Sequence, residues 1–312
     1  MNHRLNRRVL LRMLAQAPLG ALAAACSGNL PVAAGPAYEA VEQPVRAGPA
    51  EQAPPPAPPF VLPAGEERRL LMAGTLYETP LYVFASGREG RIALALGGVH
   101  GNEPGGWLAA ERVVDRVRPE NGALLVIPRA NAVAVGLFER TTDALADLNR
   151  SYPGFEDGRP MERMAIEIMN AIREFRVDLV HDMHESWSFY RDRSTNGTAF
   201  LGETISTNGE AGIALVRSVI ERVNANVLYP HEEFSFREFG GQNLQTEQSP
   251  LPRQTNIPPR GRGTSSLGIS RYVEGLVPVL VEMGQQQALE RRIALHVQVL
   301  EEVMRQTGMG AA

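Results

Sequence analysis

Apolar positions recur along this chain with two different periods. Six short apolar runs, at 81–85, 92–96, 123–127, 177–183, 198–201 and 277–283, are too brief to span a membrane and predict buried strands. Between them the spacing turns helical. Met164, Ala165, Ile168, Ala171, Ile172 and Phe175 form one apolar stripe, and Ile213, Val216, Ile220 and Val223 a second. Leu289, Ile293, His296, Val297 and Leu300 form a third, and 107–114 is spaced in the same way. Strands that alternate with helices predict one α/β domain, with a mixed, mostly parallel sheet covered by helices on both faces. His296 lies on an apolar stripe, which marks it as a packed histidine rather than a ligand. The stretch 229–268 is rich in Gly, Pro, Gln and Arg and lacks periodicity. A loop of that length is either functional or disordered.

The N-terminal pattern is different. Arg4, Arg7, Arg8 and Arg12 precede an apolar stretch from Met13 to Ala25, and then comes Cys26. This predicts a lipoprotein-type, twin-arginine-like signal segment over 1–26, with Cys26 as the lipidation point. A plain anchor helix is the alternative, and it leaves Cys26 without a role. No second cysteine exists, so an intramolecular disulfide and a thiolate metal site are excluded. Residues 27–65 hold ten prolines among many alanines and predict an extended linker. The folded domain is expected over 66–308, with a short tail at 309–312. Together these segments predict export to the bacterial cell envelope or periplasm, with membrane attachment only through an N-terminal lipid anchor. Formal net charge is −4, and it becomes −8 when the four leader arginines are set aside. That balance argues against a nucleic-acid partner. All basic side chains besides histidine are arginine, so lysine Schiff-base chemistry is excluded.

Candidate chemistry collects at strand ends, where α/β sheets usually keep it. His100 and Glu103 sit in Gly97-Gly98-Val99-His100-Gly101-Asn102-Glu103-Pro104, where the run 92–96 hands over to a helix. Imidazole and carboxylate both bind zinc, and the glycines let the backbone turn both toward one ion. A glycine-rich turn with two solvated side chains would read the same, so a third ligand is needed. His181-Asp182-Met183-His184 ends another strand, and two histidines three apart face opposite ways. His184 is the better ligand because it lies nearer the strand end, with Asp182 on its face to orient the imidazole. Were the segment helical, His181 and Glu185 would pair instead. His100, Glu103 and His184 with water in the fourth position would make a catalytic site holding one zinc per chain. Glu282, inside the apolar run 277–283, is the candidate general base. A glutamate on an exposed strand face is the alternative.

With these pieces the chain resembles the zinc carboxypeptidase superfamily, and within it the succinylglutamate desuccinylase/aspartoacylase branch. The motifs are Gly98-Val99-His100-Gly101-Asn102-Glu103-Pro104, Pro128-Arg129-Ala130-Asn131, Arg140, and Asp147-Leu148-Asn149-Arg150-Ser151-Tyr152-Pro153-Gly154. Asp182-Met183-His184 and Val281-Glu282-Met283-Gly284 complete the set. The resemblance implies that His100, Glu103 and His184 bind zinc and that Glu282 activates water. It also implies that Arg140 stabilises an oxyanion and that Asn149 and Arg150 hold a substrate carboxylate. Arg271 and Tyr272 precede Glu282 where the superfamily often keeps substrate contacts. Taken alone, Arg140 and Arg150 fit surface ion pairs, and Arg271 fits a salt bridge at a strand entry.

The expected activity is zinc-dependent hydrolysis of an amide bond beside a free carboxylate, in a small acylated amino acid or a peptide. Relatives acting on small acylated amino acids usually add a β-rich domain after the catalytic glutamate, whereas about thirty residues follow Glu282. The pocket is therefore expected to be more open, unless 229–268 forms a lid. Together with export, this shifts weight toward peptides, including cell-wall peptides, and away from succinylglutamate. A non-catalytic, surface-tethered peptide or cell-wall binding domain on the same fold is the alternative. A serine hydrolase is disfavoured because no Gly-x-Ser-x-Gly occurs.

Overall fold

The two runs with no polar residue, β3 (Ile92–Leu96) and β4 (Ala123–Ile127), lie side by side at the heart of an eight-stranded sheet. The computed structural model describes residues 60–192, 199–238 and 263–311; the signal segment, Cys26, nearly all of the linker and 239–262 lie outside the described residues. The sheet is preceded by β1 (Gly65–Leu71) and β2 (Thr79–Ala85), and α1 (Pro104–Arg116) joins β3 to β4. After β4 come α2 (Ala132–Leu137), α3 (Pro160–Glu174), β5 (Leu179–Ser186), β6 (Thr204–Thr207) and α4 (Glu210–Asn224). The order closes with β7 (Ser235–Glu238), β8 (Val277–Gly284) and α5 (Leu289–Gln306). Among the described residues no helix is long and apolar enough to cross a membrane.

Spatial order is β1-β2-β4-β3-β5-β8-β6-β7. The centre, β4-β3-β5-β8, is parallel, while β1, β2 and β6 run antiparallel to their inner neighbours. The architecture is the expected mixed α/β sheet. The predicted stripes also hold: Met164, Ala165, Ile168 and Ile172 of α3 are fully buried in the core on one face. The core on the other face is closed by α1, α4 and α5. Parity along β5 divides its side chains between the faces. Val180, Asp182 and His184 look toward the α3 face, and Leu179, His181 and Met183 toward the α1/α5 face.

Three expectations need correction. The strand expected at 198–201 is not formed over its described residues; the strand lies at Thr204–Thr207. Its Thr-Ile-Ser-Thr composition carried little apolar signal because its hydroxyls are satisfied inside the fold, Thr204 Oγ1 donating to Leu201 O and Thr207 Oγ1 to Pro278 O. Secondly, 229–268 is not loop throughout, since it contains β7 and the start of the 3-10 turn Ser266–Arg271. Thirdly, the apolar pattern predicts no strand at Gly65–Leu71, because Gly-Glu-Glu-Arg-Arg-Leu-Leu is an edge strand whose side chains, apart from the buried Leu71, mostly face solvent. At the domain limits, Phe60 and Leu62 pack on the core, and Met309 is fully buried.

One buried acid sets a pH dependence. Glu203, just before β6, accepts hydrogen bonds from Gly284 N–H at 3.1 Å and from Gln287, while its second oxygen has no partner among the described residues. Burial, with smaller contributions from Glu232 and Glu185, pushes it up to about 8. The folded state therefore keeps a proton that the unfolded chain releases above the ordinary glutamate range. Stability present at pH 4 is lost as pH rises toward 8. Glu203→Gln, shaped like the protonated form, should gain about 1–3 kcal/mol over the parent between pH 5 and pH 8.5. Denaturant unfolding at both pH values checks this, and an equal difference at the two would remove Glu203 as the cause.

Candidate metal centre

His100 and Glu103 are placed by the turn between β3 and α1. Gly98 takes a left-handed φ of 64°, and the turn is pinned to the β4–α2 connection by Ala130 N–H donating to Gly97 O and Asn131 N–H to Gly98 O. Gly106 brings α1 so close to β5 that a Cβ there would strike the Met183 carbonyl. Glu103 immediately precedes α1 but caps none of its amides. Its carboxylate turns to the two histidines instead.

His100 Nδ1 lies 2.7 Å from Glu103 Oε1, His184 Nδ1 lies 2.9 Å from Glu103 Oε2, and the two Nδ1 atoms are 3.1 Å apart. The outer nitrogens face carboxylates: His100 Nε2 is 3.1 Å from Asp147 Oδ1, and His184 Nε2 is 2.9 Å from Asp182 Oδ2. Each imidazole can give its Nε2 proton outward, which leaves two Nδ1 lone pairs and a carboxylate converging on one point. Two lone pairs at 3.1 Å repel unless a cation lies between them. All three side chains are buried, and they form a cluster whose donor atoms could hold one metal ion.

The electrostatics agree. Burial works against charge on Glu103, but the two rings outweigh it and hold the carboxyl well below its usual range. Burial also disfavours a proton on His184, yet Asp182 and Glu103 raise it well above the ordinary value. Without a metal a proton supplies the missing positive charge, and a dication would displace it. The donor set thus fits a zinc-type ion.

Glu282 stands beside this cluster. It pairs in register with His184 across β5 and β8, so both side chains share one face. It is half-buried, and desolvation, together with Glu103, pushes it up to about 7 against the opposing charges of His184, Arg237 and His100. Arg140, half-exposed, points Nη1 at Glu103 Oε1 (3.4 Å) and Nη2 at Asp147 Oδ2 (3.2 Å). Asn149 is buried, with its amide oxygen accepting Ser266 N–H at 3.0 Å and its Nδ2 3.5 Å from His184 Nε2. Arg150 follows it, with Nη1 donating to Asn149 O at 2.5 Å. His100, Glu103, His184, Asp182, Glu282, Arg140 and Asn149 therefore meet, and Arg150 lies beside them. Arg271 and Tyr272 are exposed at the end of a largely buried 3-10 turn, and among the described residues no hydrogen bond or ion pair ties them to the cluster.

β5 stays extended, so His181 and Glu185 face away from His184 and form no ligand pair. Burial lowers His181 to about 4, and both its ring nitrogens lack partners among the described residues, as do those of the packed His296. Two contributors were missed in the sequence. Asp147 was visible only as the first letter of Asp-Leu-Asn-Arg, although it orients His100. Its carboxyl is lowered despite burial, by its bond to His100 and the charges of His100, Arg140 and Arg150. Glu185 gives its backbone N–H to Glu103 Oε2 at 3.0 Å, and its buried carboxylate pairs with Arg292 Nη1 at 2.5 Å. No sequence spacing links Glu185 to Arg292.

Residues 89–188 match the succinylglutamate desuccinylase/aspartoacylase catalytic domain. N-alpha-acetyl-L-2,4-diaminobutyric acid deacetylase of Halomonas elongata is 34% identical over 99 residues, which is 31% of this chain and 29% of that protein. Cell shape determinant protein Csd4 of Helicobacter pylori superposes with a TM-score of 0.58 at 20% identity, over 72% of this chain and 52% of Csd4. The succinylglutamate desuccinylase/aspartoacylase of Rhodobacter sphaeroides gives 0.55 at 19%, over 78% of this chain and 66% of that one. The chain thus spans under a third of the deacetylase and about half of Csd4.

Proposed function

We propose that this protein is a zinc-dependent hydrolase that cleaves an amide bond next to a free carboxylate, in an N-acyl amino acid or a short peptide. The observation that carries the reading is the pair of Nδ1 lone pairs converging with Glu103, one strand away from a half-buried Glu282 on the same face. His100, Glu103 and His184 would hold one zinc, which supplies Lewis acidity for polarising a carbonyl and acidifying water. Glu282 takes the proton of the attacking water on its carboxylate and returns it to the leaving nitrogen. Arg140 places fixed positive charge where the carbonyl oxygen becomes negative. Asn149 and Arg150 hold the substrate carboxylate, a task that suits a guanidinium fork.

The relative named as a deacetylase of an N-acetylated amino acid supports the deacylase arm of this reading. The basic start, apolar stretch and Cys26 support a site displayed at the cell envelope by a lipid anchor and the proline-rich linker. The test is a panel of N-acyl amino acids and peptides with free or amidated C-termini, given to zinc-loaded protein. Free carboxylates should be cleaved and amidated partners should not. Arg150→Gln should raise KM for free-carboxylate substrates by about ten- to hundredfold, with a smaller change in kcat. Equal cleavage of amidated substrates would remove the carboxylate clamp.

A further inference from the structure

Glu103 precedes α1 but turns its carboxylate away from the helix, so the first amide of α1, that of Gly105, needs another acceptor. Glu185 supplies it from β5. Its side chain lies on the α5 face, opposite to His184, because Glu185 pairs with Met283 and Met283 packs in the α5 core. There the carboxylate accepts the Gly105 N–H, and a Cβ on Gly105 would strike Glu185 Oε1. The Glu185 backbone N–H meanwhile donates to Glu103 Oε2 at 3.0 Å. On the other side of Glu103, Asn102 O accepts from Gln285 Nε2 at 2.7 Å, and the same amide lies 3.4 Å from Glu185 Oε2. Gln285 is itself tied to the end of β5, its N–H donating to Ser186 O at 2.8 Å. The chain is thus held just before and just after Glu103, and both contacts meet at the Glu185 carboxylate. Arg292 of α5 completes the arrangement with Nη1 2.5 Å from Glu185 Oε1. Both partners are buried, whereas the guanidiniums that pair with Glu232 and Glu103 reach solvent.

Building on the metal-site reading of His100, Glu103 and His184, we infer that Glu185 and Arg292 are positioning residues for that centre. From the opposite face of the sheet they fix the angle at which the 102–105 turn presents the Glu103 carboxylate, and so set metal affinity without touching the ion. The turn cannot hold that angle alone, because Gly101, Gly105 and Gly106 leave its backbone free to adopt many conformations. A ligand carboxylate must be held to within about 0.5 Å, which requires support from outside the turn. Charge points the same way. Glu185 is a second carboxylate close to Glu103, and Arg292 cancels it, which leaves the Glu103 charge to be matched by the ion. A buried ion pair adds little stability over apolar side chains of the same shape, so stability alone does not account for this one.

The test titrates the full chain with zinc, and with cobalt, whose visible absorption reports the geometry of its ligands. Arg292→Met should lower zinc affinity by about 10- to 100-fold, as expected for residues that orient a ligand, and should shift the cobalt spectrum. The double variant Glu185→Met/Arg292→Met leaves no unpaired buried charge. Without metal it should melt above Arg292→Met, yet it should bind zinc no better. Arg292→Lys, which keeps the charge without the fork, should fall between wild type and Arg292→Met in affinity. None of these measurements involves turnover, so they stand or fail apart from the hydrolase reading. Zinc affinity that recovers with melting temperature in the double variant would make the pair a stabiliser of the fold and overturn the inference. Wild-type affinity and an unshifted cobalt spectrum in Arg292→Met would overturn it too. A wild-type chain that takes up neither metal would remove the metal-site reading, and the inference with it.

Discussion

Glu282→Gln is expected to lower kcat by about 10²- to 10⁴-fold while the protein keeps one equivalent of metal. The substitution preserves shape and removes the only function assigned to the side chain, which is to hold a proton in transit. Glu282 is not a member of the His100–Glu103–His184 cluster, so metal content should not follow activity. The same residue sets the direction of the pH profile. A base must be ionised to accept a proton, so kcat/KM falls as pH drops through the Glu282 value. Burial holds that value up to about 7 in the metal-free protein. A dication facing the same cleft favours the carboxylate, and the acidic limb of the loaded enzyme should therefore lie below 7. Metal analysis beside a kcat/KM profile from pH 4.5 to 9 checks both statements. A Gln variant that retains more than about a tenth of wild-type kcat would show that another group carries the proton.

The parts of this site readable in advance were those whose chemistry contradicts their surroundings. Glu282 stood out because its neighbours on the strand are apolar, and His184 because strand parity separates it from His181. The central strands β3 and β4 were read to the residue, since a strand buried on both faces shows an unbroken apolar run. Edge strands gave no such signal. β1 is charged toward solvent, and β6 and β7 hide polar side chains in cross-strand bonds. Arg237 is the clearest case. Nothing in Ser-Phe-Arg-Glu distinguishes it from any exposed arginine, and only the register β8-β6-β7 sets it on the Glu282 face. Asp147 was unreadable for a related reason, because its bond to His100 spans 47 residues. Spacing within one element is legible in a sequence, whereas pairings created by the sheet are not.

His184→Ala should cost the protein its metal and its activity together. The variant removes one of three donors and the ring that joins Glu103 to Asp182. It also removes the lone-pair conflict with His100 that makes a cation favourable. Affinity for zinc should fall more than about 100-fold, beyond the 10- to 100-fold expected when only an orienting carboxylate is altered, as in Asp182→Asn or Asp147→Asn. Metal binding to the folded state alone stabilises it, so chelation should lower the melting temperature of wild type and leave His184→Ala little changed. Chelator competition and thermal melts with and without zinc measure the two effects. A His184→Ala protein that keeps stoichiometric zinc would place the ion elsewhere. Loss of metal without loss of turnover would show that the amide is cleaved by side chains alone. The carboxylates that face both Nε2 atoms and the 3.1 Å approach of the Nδ1 atoms argue against both outcomes.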